Sequence, residues 1–165
     1  MDGRYPVPSF HFTVAIAGVG RGAQDQSSLD TSFSEISGLE VSLELEDVHE
    51  GGQSRYVHRL PTGAKYGPLV LKRGLIKAQS YLANWAAQTI GTDFNAPIKT
   101  HTLVIMLLGP DHQPRYSWNV SRAWPVRWDW GSLNASRGEV MVETLEFAHS
   151  GIRRYSNVSK PLSNS

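Results

Sequence analysis

The side chains of this chain best suited to metal ligation or proton transfer are its six histidines, His11, His49, His58, His101, His112 and His149. None falls in the His-Glu-x-x-His spacing that sets two imidazoles on one helix face, nor in any other short-range ligand pair. His49-Glu50 and His58-Arg59 could bring an acid and a base together across a turn, but charges in such a setting are expected on a hydrated or subunit-facing side. A nucleophilic serine has no Gly-x-Ser-x-Gly elbow to sit on, and Ser37-Gly38 reads as a bend between two strands. Gly18-Val19-Gly20-Arg21-Gly22 has the glycines of a phosphate cradle without the Gly-Lys-Ser/Thr that completes one, so it reads as a loop. With no cysteine, disulfides and thiolate metal sites are excluded. The expectation is therefore no catalytic residue, no metal, no cofactor and no enzymatic activity.

One constellation remains. Trp118, Arg122, Trp124, Arg127, Trp128 and Trp130 interleave aromatic rings with guanidinium groups. That composition stacks single-stranded bases or sugars, and it is equally the composition of protein interfaces. A near-neutral chain, with a formal net charge of +1, and a proline in the middle of the cluster favour core and interface. A carbohydrate- or single-stranded nucleic-acid-binding module is the alternative.

The elements that must position these residues are mostly strands. From Glu40 to Leu45 the alternation is strict, with Val41, Leu43 and Leu45 on one side and Glu40, Ser42 and Glu44 on the other, continued by Glu46. Gly51-Gly52 turns the chain into a return segment from Ser54 to Leu60, ended by Pro61 and Gly63, and Tyr66 to Lys72 reads as a third strand of the same sheet. Upstream, Pro6 and Pro8 suit an extended arm over residues 1–9. Phe10, Phe12, Val14 and Ile16 give a first strand with one apolar face, and Gly18 to Ser32 is a long polar loop. Residues 77–90 form the one helix, with Ala78, Leu82, Trp85 and Thr89 on one stripe and Gly91 closing it. Leu103 to Leu108 reads as a strand buried on both faces, and Arg115 to Ala123 returns from the turn at Gly109 to Pro114. Pro125 is expected to break the ladder, leaving at most an edge strand over Val126 to Trp130. In the last strand, Glu139 to His149, Val140 and Val142 share one face and Met141, Leu145 and Phe147 the other. Two apolar faces there predict that a neighbouring subunit or the helix covers one of them.

At 165 residues the chain fits one domain with a sizeable core. No apolar run approaches the roughly 18 residues of a spanning helix, and the first residues lack the charged start and apolar core of a secretory signal, so no membrane partner is expected. The fold class is mainly β: a barrel or closed sandwich of about seven or eight strands with one helix. The boundaries are an arm over 1–9, a β domain over 10–152, and a polar tail over 153–165.

Several separated blocks, "FSEISGLEVSLE" from Phe33, "EGG" at 50–52, "HRLPTGAKYGPLVLKRGL" from His58, "WNVSRAWPVRW" from Trp118 and "ETLEFAHSGI" from Glu143, resemble the tail-tube protein family of contractile phage tails and related extracellular injection particles, over about residues 5–152. The resemblance implies a tail-tube-like barrel whose strands join across subunits into a ring-wide inner barrel on hexamerisation. It also implies a structural role in lining a cargo channel, self-association into a homohexameric ring, and contacts with adjacent tube or initiator rings, a sheath and a baseplate or spike. Nucleic acid enters only as cargo within the lumen. Assembly in a bacterial cytoplasm and residence in a phage tail or injection particle follow. In this picture the hairpin, through Glu40, Ser42, Glu44, Glu46, Glu50, Arg55 and His58, lines the lumen or forms the ring, and Trp124, Arg127, Trp128, Trp130, Met141, Leu145 and Phe147 are the subunit-interface candidates. The "HRLPTGAKYGPLVLKRGL" wording and "RWDWGSLNA" before the last strand are more similar to the tube-initiator type. The 18–32 loop and the tail after Ile152 depart from a minimal tube subunit.

Overall fold

The computed structural model describes residues 10–17, 29–49, 51–52, 56–74, 80–91, 96–131 and 141–156. Among them are ten strands and one helix. In chain order these are β1 (His11–Ile16), β2 (Leu29–Phe33), β3 (Glu35–Ser37), β4 (Val41–Val48), β5 (His58–Tyr66), β6 (Leu69–Gly74), α1 (Tyr81–Ile90), β7 (His101–Leu108), β8 (Pro114–Asp129), β9 (Val142–Ala148) and β10 (Gly151–Ser156). The mainly β class is as expected, and all the pairings are antiparallel.

Strand order in the larger sheet is β2-β1-β7-β8-β9-β6-β3, with β10 also on β8. Its two end strands are consecutive in sequence, separated only by Ser34, whose N–H donates to the Lys72 carbonyl at 2.9 Å. The sheet therefore closes on itself through residues 29–37, which leave β1 and join β6 without a break, and a barrel results. Closure gives each strand one inward side. Val14 and Ile16 of β1, Leu69 and Leu71 of β6, Leu103 and Ile105 of β7, Val120 and Ala123 of β8, and Leu145 and Phe147 of β9 fill the interior, each almost wholly buried. Helix α1 adds Leu82, Trp85 and Ala86 to that core, and the Trp85 ring lies 5.5 Å from Phe147. Ser80 caps its N-terminus, accepting from the Ala83 N–H at 3.1 Å, and the Gly91 N–H closes its last turn on the Ala87 carbonyl. Ala78, expected on the helical stripe, lies outside the described residues, as does the 18–28 part of the early loop, whose remainder belongs to β2.

Several expectations are corrected. Pro61 and Gly63 do not end the return strand, because β5 runs through both, with Glu44 opposite Gly63, Leu45 opposite Pro61, and Thr62 as the extra residue of a bulge. Nor is β6 a third strand of the hairpin's sheet; β4 and β5 form a separate two-stranded ribbon, and β6 belongs to the barrel. Pro125 sits buried inside a continuous 16-residue β8, where a register shift between Pro125 and Arg127 absorbs the missing donor. The chain beyond Ile152 continues as strand to Ser156, paired through Arg153 opposite Asn119 and Arg154 opposite Trp118. At the corner between β9 and β10, β8 bends in parallel. Arg122 adopts φ 49 and its Nε donates to Ser150 Oγ at 3.0 Å, while the Ser150 N–H donates to the Ser121 carbonyl.

Candidate assembly surface

The ribbon of β4 and β5 leaves the barrel between Gly38 and Pro68. Gly38 has φ 84, and a Cβ there would lie 1.9 Å from the Pro68 carbonyl oxygen, so this crossing of the two ribbon stems demands glycine. His149 braces the same base by donating from Nε2 to the Gly67 carbonyl at 2.9 Å, its ring 5.6 Å from that of Tyr66.

Register then separates the ribbon into two sides. Val41 pairs with Tyr66, Leu43 with Ala64, Leu45 with Pro61 and Asp47 with Arg59, which puts three branched aliphatics in a row, ended by an Asp47–Arg59 ion pair at 3.2 Å. On the other side Ser42 pairs with Lys65, Glu44 with Gly63, Glu46 with Leu60 and Val48 with His58. Val41, Leu43 and Leu45 are 59, 64 and 57% exposed. An alternating strand whose apolar side stays more than half exposed is an uncovered half of a layer. Of the hairpin residues expected to line the lumen, Ser42, Glu44, Glu46 and His58 share the side opposite Val41, Leu43 and Leu45. Glu40 precedes the ribbon, its carboxylate beside Gly67, and Glu50 and Arg55 lie outside the described residues.

The tryptophan cluster divides differently. Trp118, Trp124 and Trp128 pack on the core, so they offer no open run of rings for bases or sugars. Trp128 also donates from Nε1 to Glu143 Oε1 at 2.8 Å, and its ring stands 4.3 Å from that of Trp130, which is 42% exposed. Arg127 is exposed and donates to Asp129 at 3.0 Å. The Asp129 carboxyl is held below its usual pKa, first by the Gly131 backbone N–H and then by Arg127. Met141 is half-buried. Leu145 and Phe147 cannot serve an interface, because they point into the barrel and have no exposed surface. Their strand's inward phase is Glu143, Leu145, Phe147, covered by the barrel core and by the helix, whose Trp85 ring lies 5.5 Å from that of Phe147, while Val142 on the opposite face stays 44% exposed.

Sequence reasoning missed the polar residues of that inward face. Arg73 and Glu143 are directly opposed across β6 and β9 and meet at 2.6 Å with side chains only 7 and 5% exposed. The Arg73 guanidinium also lies 5.0 Å from the centre of the Phe33 ring. A basic residue at the inward phase of "LVLKRG", with an acidic one at that of "VETLEFA", was the available signal.

Among the described residues, no group of three or more histidines, cysteines or carboxylates could hold a metal ion, and no helix is long and apolar enough to cross a membrane. His101 lies against Trp85, and burial, then the Lys99 charge, lowers its pKa. A shallow pocket beside it, of about 190 Å³, is lined by Trp85, Gln88, Thr89 and residues 96–99, with no acid or base paired for catalysis.

A closed barrel, one helix and a long ribbon projecting from the barrel define a tail-tube-type structural protein. The chain belongs to the T4-like virus tail tube protein gp19 family, whose model matches residues 8–153. A search of curated protein sequences returned no significant match. Among solved structures, the chain is similar to one in the 6-fold symmetrised baseplate of the anti-feeding prophage, with 28% identity and a TM-score of 0.69 over 94% of this chain and 98% of that one. It also shares its fold, at 18% identity and a TM-score of 0.70 over 93 and 94% of the two chains, with a chain of the PVC extracellular contractile injection system in its extended sheath-tube complex. Hcp1 from Salmonella typhimurium has the same fold more distantly, at 11% identity and a TM-score of 0.53 over 91 and 88% of the chains. Relatives of this chain are thus parts of tube, sheath and baseplate assemblies of contractile particles.

Proposed function

We propose that this chain is a ring-forming subunit of the inner tube of a contractile injection particle, six copies to the ring, and that it acts as the initiator joining the tube to the baseplate. The single observation that carries the ring is the ribbon: Val41, Leu43 and Leu45 form an apolar row that its own barrel leaves bare, and a second copy of the chain covers it. Once that side is packed on a neighbour, the Ser42, Glu44, Glu46 and His58 side is the one left hydrated, facing the lumen. Trp130, 42% exposed beside the Trp128 ring, supplies a second subunit contact, and Arg127 and Met141 are further candidates. The role is mechanical and needs no cofactor: a stiff hollow ring through which cargo, nucleic acid included, passes, with sheath and spike proteins as the remaining partners. Assembly takes place in the bacterial cytoplasm, before the particle leaves the cell. The initiator assignment is supported by the 28% identity with a baseplate chain, against 18% with a chain of the sheath-tube complex.

Negative-stain electron microscopy of the purified protein across a concentration series tests the reading. Single six-fold rings that do not stack are expected. Long tubes of stacked rings would replace the initiator by a main-tube role, and monomers at every concentration, absent from any particle, would refute the ring.

A further inference from the structure

At one end of the barrel, the turn joining β7 to β8 brings His112 against His11, 101 positions earlier in the chain. The placement is enforced from both sides. His11 is held at the first position of β1 by pairing with Leu108. The turn is closed by the Gly109 N–H on the Gln113 carbonyl at 3.0 Å and the His112 N–H on the Gly109 carbonyl at 2.9 Å, which leaves His112 at φ 57. A positive φ is uncommon for any residue but glycine, and here it fixes the direction in which the His112 ring leaves the turn.

Nδ1 of His112 and Nε2 of His11 are 3.2 Å apart, with ring centroids 5.1 Å apart and planes at 64°. A linear N–H···N bond of that length would separate the centroids by about 5.5 Å, so the ring axes are inclined to the line between the nitrogens. Two imidazoles on one zinc-type ion show the same inclination. With metal–nitrogen bonds of about 2.0–2.1 Å, the two nitrogens stand roughly 2.9 Å apart at a right angle and 3.3 Å at the tetrahedral angle. The observed spacing falls between these values.

We propose that His11 and His112 form a two-histidine site for a divalent transition-metal ion of the imidazole-preferring class, copper, nickel or zinc. Nδ1 of His112 and Nε2 of His11 are the ligands. The ring that carries a proton on its facing nitrogen moves it to its other nitrogen, so both lone pairs face the ion and no net proton is lost. Asp111, the nearest carboxylate in the turn, is not a third ligand: Arg115 donates to it at 3.1 Å and the Gln113 N–H at 3.3 Å. Water completes the coordination sphere. The ion ties the β7–β8 turn to the start of β1 and thereby clamps this end of the barrel.

The test is calorimetric titration of the full chain, without a polyhistidine tag, with copper(II) and with zinc chloride, alongside His112→Gly and His11→Ala. Glycine at 112 suits the left-handed turn, and thermal melts establish that both variants fold. One saturable equivalent in the wild type, weakened at least about tenfold in both variants, is expected. Copper electron paramagnetic resonance should show two nitrogen ligands in the wild type and one in each variant, with His58→Ala unchanged. No saturable binding in the wild type, or a site that survives either substitution, overturns the assignment.

Discussion

Removing the Glu143 charge should destabilise the protomer more than any surface ion-pair substitution in the molecule. Arg73 and Glu143 meet inside the barrel wall with at most 7% of either side chain exposed, so the Glu143→Gln variant sets a nearly buried guanidinium against a neutral amide in place of its carboxylate. Breaking a buried pair by removing one charge costs about 3–5 kcal/mol, mostly as the penalty of the uncompensated partner. The amide keeps an oxygen for the Trp128 indole, so this figure isolates the charge. Glu35→Gln is the internal control. Its pair with Lys72, 2.9 Å long, has side chains 39 and 56% exposed, and such pairs contribute about 0–1 kcal/mol. For a chain of this length, a loss of 3–5 kcal/mol corresponds to a fall in Tm of roughly 6–20 °C, and the control to a few degrees at most. Urea titrations followed by tryptophan fluorescence read both free energies, and the same emission reports whether Trp128 has lost its place. If Glu143→Gln costs no more than Glu35→Gln, the ion pair is not carrying a desolvated charge and the reasoning fails. A second check is the double replacement Arg73→Met with Glu143→Gln, which removes both charges and keeps an acceptor for the Trp128 indole. It should recover most of the loss, because nothing charged is left unpaired.

Three further outcomes are expected. Leu43→Asp should leave protomer stability within about 0.5 kcal/mol, since the side chain is 64% exposed, yet abolish ring formation in sedimentation velocity; rings that persist would remove the ribbon's apolar side from the interface. Gly38→Ala should cost about 3 kcal/mol or more in urea unfolding, because φ 84 and a 1.9 Å approach to the Pro68 carbonyl oxygen both reject a Cβ; a loss under about 1 kcal/mol would show that the stem crossing can shift. His101 has its folded pKa depressed by burial and by Lys99, so the unfolded chain takes up its proton first. Its contribution to stability is complete above the unfolded value of about 6.5 and is lost as pH falls through the folded value. His101→Asn should therefore flatten stability measured between pH 7 and 5, and an unchanged slope would refute the assignment.

Much of the architecture is legible in the sequence because closure of the barrel imposes period 2 on its strands. Val14 and Ile16, or Leu69 and Leu71, announce one buried face without any tertiary knowledge. The errors have common physical origins. Pro61 and Pro125 read as stops, because a proline costs a ladder bond in a regular strand; both sit at register shifts where that bond is already broken. Strand β9 read as apolar on both faces because Val142 lies on its outward side, and Glu143 went unread because a carboxylate at a core position is intelligible only once Arg73 is opposite it. The polar β10 left no hydrophobic signature, since its strand is specified by continuing the register of β8 past the Arg122 bend. Nothing local in the sequence brings His11 to His112, because their meeting depends on β1 lying beside β7.

The ribbon presents a separate problem. Isolated two-stranded hairpins are marginal in water, and exposed strands with an apolar side invite indiscriminate pairing. This one carries several restraints on wrong partners. The Thr62 bulge and Pro61 interrupt its ladder midway, the Asp47–Arg59 pair ends the apolar row, and Lys65 stands 3.8 Å from Glu44 on the opposite side. None of these contributes much stability, since each charge is at least half exposed and screened. Their effect is on choice: an incoming strand that slips by one residue would set its apolar side against Glu44 and Glu46, whereas a partner in register meets Val41, Leu43 and Leu45. An apolar row that is more than half exposed and yet fenced by charge at its margins is what a subunit needs if it must stay monomeric until the correct neighbour arrives and then associate in one geometry.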